Sequence, residues 1–294
     1  MEIRVLQYFL AIAREESISA AAKSLHLSQP SLSRQIKDLE EELGTILFER
    51  GSRKITLTED GLLLKKRAED IINLVNKTES DITRGQTFLN GDIYIGCGET
   101  DGMSFIAQAI RTVQDKYPDI TFHLHSGNGD DISERLDKGL IDFGILIGQQ
   151  DISKYHYLKL PMKDISGVLM KRDSLLAHKK HITTKDLVGL PLIVSAQGLN
   201  KRQIPEYLLD DEKYHIVATY NLIFNASLLV REGVGYALGL DKIINTDCSS
   251  ELCFKPLYPE IQADIIFVWS KYQRLSKSSQ YFLNTIKDML KKQI

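Results

Sequence analysis

Residues Ala20–Arg50 read AAAKSLHLSQPSLSRQIKDLEEELGTILFER, and the chemistry of that stretch decides how the first part of the chain is organised. Three consecutive alanines favour a helix and keep its surface slim, so a second helix can approach closely. Ser19 is placed to cap that first helix, and Leu25 and Leu27 to close its apolar side. Ser28 then caps the next helix, with Pro30 in its first turn, where a missing N–H costs nothing. Leu32, Ile36, Leu39 and Leu43 recur at i, i+4, i+7 and i+11 and predict a buried stripe. Gly44 suits the helix end. Upstream, Arg4–Glu15 reads as a helix that buries Val5, Phe9 and Ile12.

Two short helices meeting at a sharp turn, the second with a polar outer face, form the layout of a helix-turn-helix DNA reader. The outer residues suit a major groove. Gln29 can donate and accept at adenine, and Arg34 can fork onto guanine. Ser31, Ser33 and Lys37 serve phosphates or bases, and Pro30 sits among them at the helix start. Any one of these residues also fits an ordinary solvated helix face; the combination of cap, alanines, apolar spacing and polar face carries the reading. After the helix, Phe48–Lys54 leads into the alternating Ile55–Thr58, a strand that predicts a wing. Gly51 and Ser52 suit a hairpin tip, where Arg53 and Lys54 can reach phosphates or a narrow minor groove.

The runs Gln29–Ile36, Leu39–Gly44, Leu47–Arg50 and Leu57–Gly61 together resemble the N-terminal domain of LysR-type transcriptional regulators. The likeness is dense over about the first sixty residues; the rest is similar to that family's effector domain in size and element order. It implies a mixed fold: a mainly α winged helix-turn-helix, a long dimerising linker helix, and an α/β, two-lobed domain of the periplasmic-binding-protein type. It also implies a regulator whose small-molecule ligand alters how a tetramer bends its operator. The corresponding boundaries are residues 1–60 for the head, 61–90 for the linker and 91–294 for the effector domain. Its lobe I comprises 91–161 and 264–294, and lobe II comprises 162–263.

Charge and cysteine content agree with this reading. The 294-residue chain has a net charge of −2, so any DNA affinity rests on a local patch (Arg34, Lys37, Arg53, Lys54) and on pairing of two heads. The acidic run Asp38–Glu42 is expected to face away from DNA. Three cysteines, Cys97, Cys248 and Cys253, are too few and scattered for a disulfide framework; small buried hydrophobes or free thiols are expected, with Cys248 and Cys253 a pair close enough in sequence for redox exchange. Apolar runs are strand-sized and the start of the chain lacks a basic leader, so a cytoplasmic location with no membrane contact is expected.

From Leu62 to about Gln86 the chain is proline-free and helix-prone, with Leu64, Ala68, Ile71, Ile72, Val75, Thr78 and Ile82 near a 3.5-residue period. A second copy would bury that stripe; docking on its own head is the alternative. Pairing would set two recognition helices roughly 34 Å apart, or a multiple, and read an interrupted inverted repeat. RNA polymerase is a further expected partner.

Beyond the hinge at Asn90-Gly91, strands and helices alternate: a strand Asp92–Cys97, a helix Met103–Lys116, a strand Ile120–His125, a helix Ile132–Lys138 and a strand Ile141–Ile147. This order predicts a parallel sheet covered on both faces. Two strands are expected between Tyr155 and Met170, with the crossing between lobes near Pro161. The second lobe holds strands at Leu192–Ser195, His215–Tyr220 and Tyr236–Leu240, and helices near Lys201–Leu209 and at Leu222–Glu232. Asp264–Trp269 returns as a strand, and the helix Lys277–Lys291 packs Tyr281, Phe282, Ile286 and Leu290 on the first lobe.

In open parallel sheets a ligand binds beyond the carboxyl ends of the strands. Gly98, Glu99, Thr100 and Asp101 follow the first strand, where N–H groups at the next helix start are expected to hold an anion. Asn128 follows the second strand, Asn221 opens a helix of the other lobe, and Asn200, Lys201 and Arg202 offer polar and cationic contacts. By resemblance these stretches touch effectors. Glu99 and Asp101 would repel a carboxylate, so a zwitterionic, amino-acid-like ligand is one reconciliation. His123 and His125 alternate on one strand without a third ligand nearby, so neither a metal nor a cofactor is expected.

An enzyme is disfavoured. Gly96-Cys97-Gly98 follows a strand, but the third glycine of a dinucleotide loop comes one position late at Gly102, and no P-loop or nucleophile elbow is present. A transport-type solute-binding protein would explain the second domain but not the first. A regulator that binds DNA without a ligand is the remaining alternative.

Overall fold

The computed structural model describes residues 1–50, 54–83, 89–148, 150–197 and 214–292. The chain forms two compact units, residues 1–83 and 84–294.

In the first unit, α1 (Ile3–Glu15), α2 (Ile18–Ser24) and α3 (Gln29–Leu43) share a core of Leu6, Phe9, Ile12, Ala21, Leu32, Leu39 and Leu47, each at most 2 % exposed. Ala21 and Ala22 are buried, as close helix packing requires. The cap of α2 is Ser17, whose hydroxyl accepts from the Ala20 N–H at 3.3 Å; the expected cap, Ser19, lies inside the helix and donates to Gln29 Oε1 at 3.0 Å. Ser28 caps α3 as expected, accepting from the Ser31 N–H, and Gly44 ends the helix in the left-handed region at φ 70°. Leu43 does not join the buried stripe: it is 42 % exposed, because the chain turns away at Gly44 before the core reaches it.

The hairpin strands β1 (Phe48–Arg50) and β2 (Ile55–Leu57) pair antiparallel. Phe48 packs its ring 5.1 Å from Phe9. Glu40, within the acidic run, accepts from the Leu47 and Phe48 N–H groups and so fixes the turn into the hairpin.

Helix α4 (Glu59–Thr83) starts against that turn. A side chain at Gly61 would meet the Leu47 carbonyl oxygen at 2.2 Å, so the helix can approach only with glycine there. The stripe expected to need a second copy is partly consumed within its own unit: Ala68 is fully buried in the head core, with Leu64, Ile71 and Ile72 packed on it. Thr78 is exposed, and the side chain of Ile82 lies outside the described residues. Among the described residues, the large apolar side chains that α4 leaves in solvent are instead Leu62, Leu63 and Leu74.

Among the described residues, the second unit is built on nine strands whose pairing runs continuously through two lobes. The first lobe holds β3 (Gly91–Cys97), β4 (Ile120–Ser126) and β5 (Phe143–Ile147) in parallel, with the antiparallel β11 (Gln262–Ser270). Helices α5 (Met103–Lys116) and α8 (Lys277–Lys291) cover one face, where Phe105, Phe143, Phe267 and Phe282 meet; α6 (Gly129–Asp137) covers the other with Ile132 and Leu136. α6 begins three residues earlier than expected because Asn128 caps it, accepting from the Asp130 and Asp131 N–H groups.

The second lobe holds β7 (Pro191–Ser195), β8 (His215–Tyr220), α7 (Ile223–Arg231), β9 (Tyr236–Leu240) and β10 (Leu252–Pro256), the last not expected from the sequence. The two strands expected between Tyr155 and Met170 are one continuous strand, β6 (Tyr155–Lys171), which pairs with β11 in the first lobe and with β9 and β10 in the second. Pro161 does not break it, because its pairing with β11 shifts register just there, between Asp264 and Ile266, where no ladder N–H is required. The helix expected near Lys201–Leu209 lies outside the described residues.

Candidate functional site: the recognition helix and the interlobe cleft

The outer face of α3 is assembled by its capped start. Gln29, Pro30, Ser31, Arg34 and Lys37 are exposed and Ser33 is half-buried; at about 100° per residue Pro30, Arg34 and Lys37 fall roughly opposite the buried Leu32, Ile36 and Leu39, with Ser31 and Ser33 on the flanks. Arg34 lies 4.0 Å from Asp38 and Lys37 3.2 Å from Glu41, both pairs one helical turn apart and well solvated. Such pairs stabilise by only about 0.3–0.5 kcal/mol, so a phosphate or guanine edge can draw the cations away. Lys54 at the wing pairs with Glu16, whose carbonyl also accepts from the Ile55 N–H and ties the wing to the end of α1. Arg53 lies outside the described residues.

In the second unit a cavity of about 800 Å³ opens between the lobes, at the carboxyl ends of β3, β4 and β5. Of the residues that the sequence points to for effector contact, Gly98, Glu99, Asn128 and Asn221 line it. Gln150, Ser166, Ser195, Gln197 and Tyr220 line it too and were not foreseen. Gln150, just past β5, and Ser195, Gln197 and Tyr220, at or just past the ends of the parallel strands β7 and β8, follow the carboxyl-end rule; Ser166 lies within β6 and does not. Ile145, Ile147, Leu238, Ile243 and Ile261 supply apolar wall.

Several expected contacts are already engaged. Thr100 is buried and absent from the wall; its hydroxyl accepts from the Gly102 N–H at 3.0 Å. Asp101 is exposed and also off the wall. The start of α5 is not an open anion site: the Met103, Ser104 and Phe105 N–H groups donate to the Thr100, Asp101 and Gly102 carbonyls. Asn128 spends its side-chain oxygen on the α6 cap, and Asn221 accepts from the Leu222 N–H. Glu99 accepts from the Ile223 N–H across the cleft. Asn200, Lys201 and Arg202 lie outside the described residues. His123 and His125 do not converge on a common ligand; they pair with Asp92 and Asp131 respectively.

The electrostatics follow from burial and neighbours. Burial, aided by the Glu99 charge, pushes the Tyr220 hydroxyl well above its ordinary range, so it stays protonated and donates to the Leu238 carbonyl at 2.6 Å. Hydrogen bonds from Ser153 hold Asp151 low, keeping it ionised on the cavity rim. Burial likewise pushes up the Cys97 and Cys253 thiols.

Asp164 on β6 is 2 % exposed with one unpartnered oxygen; burial first, and the Asp241 and Asp101 charges after it, push its carboxyl up to about 6. The folded chain therefore holds this proton more tightly than the unfolded chain, where the ordinary value is 3.8. Its contribution to stability is full below about pH 4, declines as pH rises through about 6, and is then gone. Asp164→Asn is expected to remove this decline and to melt above the parent at pH 8 but not at pH 4. Equal differences in melting temperature at both pH values would contradict it.

Comparison with known proteins agrees with this architecture. Residues 3–62 match the family model of the bacterial regulatory helix-turn-helix protein, lysR family, and residues 87–291 match the LysR substrate binding domain. A hydrogen peroxide-inducible genes activator of Pectobacterium carotovorum subsp. carotovorum is 31 % identical over 199 residues, 67 % of this chain and 65 % of that protein. The HTH-type transcriptional regulator YybE of Bacillus subtilis (strain 168) is 28 % identical, with 96 % and 97 % of the two chains covered. Among solved structures, CbnR, a LysR family transcriptional regulator, superposes with a TM-score of 0.73 at 20 % identity over 99 % of each chain; full-length CbnR complexed with its target DNA gives 0.71, also at 20 % identity, over all of both chains. With both family models matched along nearly its whole length, the chain belongs to the LysR family of DNA-binding transcriptional regulators.

Proposed function

We propose that this regulator reads an interrupted inverted repeat through α3 and changes its transcriptional output when a small molecule enters the interlobe cavity. The observation that carries the second half is the cavity itself: about 800 Å³, of small-molecule size, with neutral amides set in apolar wall. Gln29, Pro30, Ser31, Ser33, Arg34 and Lys37 are assigned to base and phosphate contact, with Lys54 and Arg53 from the wing on backbone. Gly98, Glu99, Asn128 and Asn221 are assigned to the effector wall; Thr100 and Asp101 are left out of it because neither lines the cavity. Residues 61–90 serve as the linker and 91–294 as the effector domain.

Two copies pair through the linker helix, for which Leu62, Leu63 and Leu74 offer exposed apolar contact, and pairs of dimers and RNA polymerase complete the assembly on DNA. The protein acts in the cytoplasm as a regulator and not as an enzyme; among the described residues no helix is long and apolar enough to cross a membrane. The Cys248–Cys253 pair is not joined: all three cysteines are free, Cys248 exposed and Cys97 and Cys253 buried with raised thiols.

The test is a mobility-shift assay on DNA upstream of its own gene, with and without fractionated metabolite pools. A pool that shifts the affinity or mobility of the complex is the expected result. No response to any pool, with DNA binding intact, would favour a regulator without a ligand.

A further inference from the structure

The two helices that begin at the cleft are each held by the opposite lobe. Helix α7 starts on the second lobe, and its Ile223 N–H donates to Glu99 Oε2, which follows β3 on the first. Helix α6 starts on the first lobe, and its Gly129 N–H donates at 3.1 Å to Gln197 Oε1, which follows β7 on the second. N–H groups in a first turn have no partner within their own helix and carry the positive end of its dipole. Here the acceptors come from 124 and 68 residues away, so neither is a local cap. The fit at Gly129 is tight: a Cβ there would stand 2.7 Å from Gln197 Nε2. That Nε2 is itself buried beside the cleft without a partner, which leaves a donor for an incoming oxygen.

We propose that Glu99 and Gln197 are reciprocal latches that hold the two lobes together across the cavity, and that an effector acts by taking one of these helix starts from its latch. This rests on the cavity being the effector site. It also names the chemistry required: the effector presents a carbonyl oxygen, because only an acceptor can replace Glu99 at Ile223 or Gln197 at Gly129, and Glu99 together with the ionised Asp151 on the rim would repel a carboxylate. Gln197 Nε2 offers a further bond to the same oxygen.

Amide hydrogen exchange on the full chain, resolved to single residues, tests it. Glu99→Ala is expected to speed exchange at Ile223 about tenfold or more, the scale of losing a hydrogen bond to a charged group. It is also expected to speed exchange at Gly129, because releasing one latch loosens the other. Gln197→Ala does the same in reverse. Glu99→Gln keeps an acceptor and is expected to restore most of the protection at both positions, which separates latch loss from misfolding.

Exchange at Gly129 unchanged by Glu99→Ala, together with Ile223 unchanged by Gln197→Ala, would make the two bonds independent and overturn the latch. Protection at neither amide in the parent would overturn it as well. A second arm reads competition: a metabolite pool active on the parent is expected to act on Glu99→Ala at about a tenth of the concentration, and an unchanged half-response would contradict displacement. Absence of any active pool would count against the effector reading alone, since the exchange result does not depend on it.

Discussion

Arg34→Ala is expected to weaken binding to the operator by roughly five- to 150-fold, and to relax base choice at one position in each half-site. The scale is that of a forked arginine–guanine contact, about 1–3 kcal/mol. Two features of the structure make Arg34 the cleanest probe of α3. Its side chain is 83 % exposed and its one acidic neighbour, Asp38, stands at 4.0 Å, so the substitution removes little folding stability. Gln29, by contrast, also receives the Ser19 hydroxyl and helps join α2 to α3, so Gln29→Ala mixes a lost base contact with a lost helix contact. Competition mobility shifts with single-base operator variants read the effect. Unchanged discrimination in Arg34→Ala would remove this side chain from base reading.

Phe282→Ala is expected to cost the second unit about 3–5 kcal/mol, the usual penalty for emptying a buried aromatic site. Phe282 is fully buried, edge-on to Phe122 at 5.1 Å, to Phe143 at 5.6 Å and to Phe267 at 6.2 Å. It is the anchor of α8 beneath the sheet whose strand ends shape the cavity. A loss of that size is a large fraction of the roughly 5–15 kcal/mol that holds a domain folded. The single tryptophan, Trp269, lies 6.2 Å from Phe267 and reports unfolding of this unit in urea. A loss below about 1 kcal/mol would show that α8 is not the buttress described.

Elements with strong local signals were legible in the sequence. The helices Met103–Lys116 and Lys277–Lys291 and the strands His215–Tyr220 and Tyr236–Leu240 have the predicted boundaries, because apolar periodicity and flanking caps or turns agree there. The Ser28 cap and the Gly44 stop were equally plain. Errors arose where a tertiary contact outvoted the local pattern. Ser17 and Ser19 are both competent caps, and only the path from α1 selects Ser17. Pro161 looks like a strand break until the bulge opposite it removes the demand for its N–H. The α4 stripe has a pairing period, yet Ala68 is spent on the head core. Glu99 reads as a ligand contact in the sequence because it follows a strand. Its partner, 124 residues away, could not be read from spacing.

Entry of the exposed face of α3 into the major groove can be read from nuclease protection of DNA by the purified chain. Two protected half-sites related by an inverted repeat are expected, about one helical turn or a multiple apart, with affinity falling steeply as salt rises. Absence of protection at low salt, or a footprint unaltered when Gln29, Arg34 and Lys37 are all replaced by alanine, would contradict it.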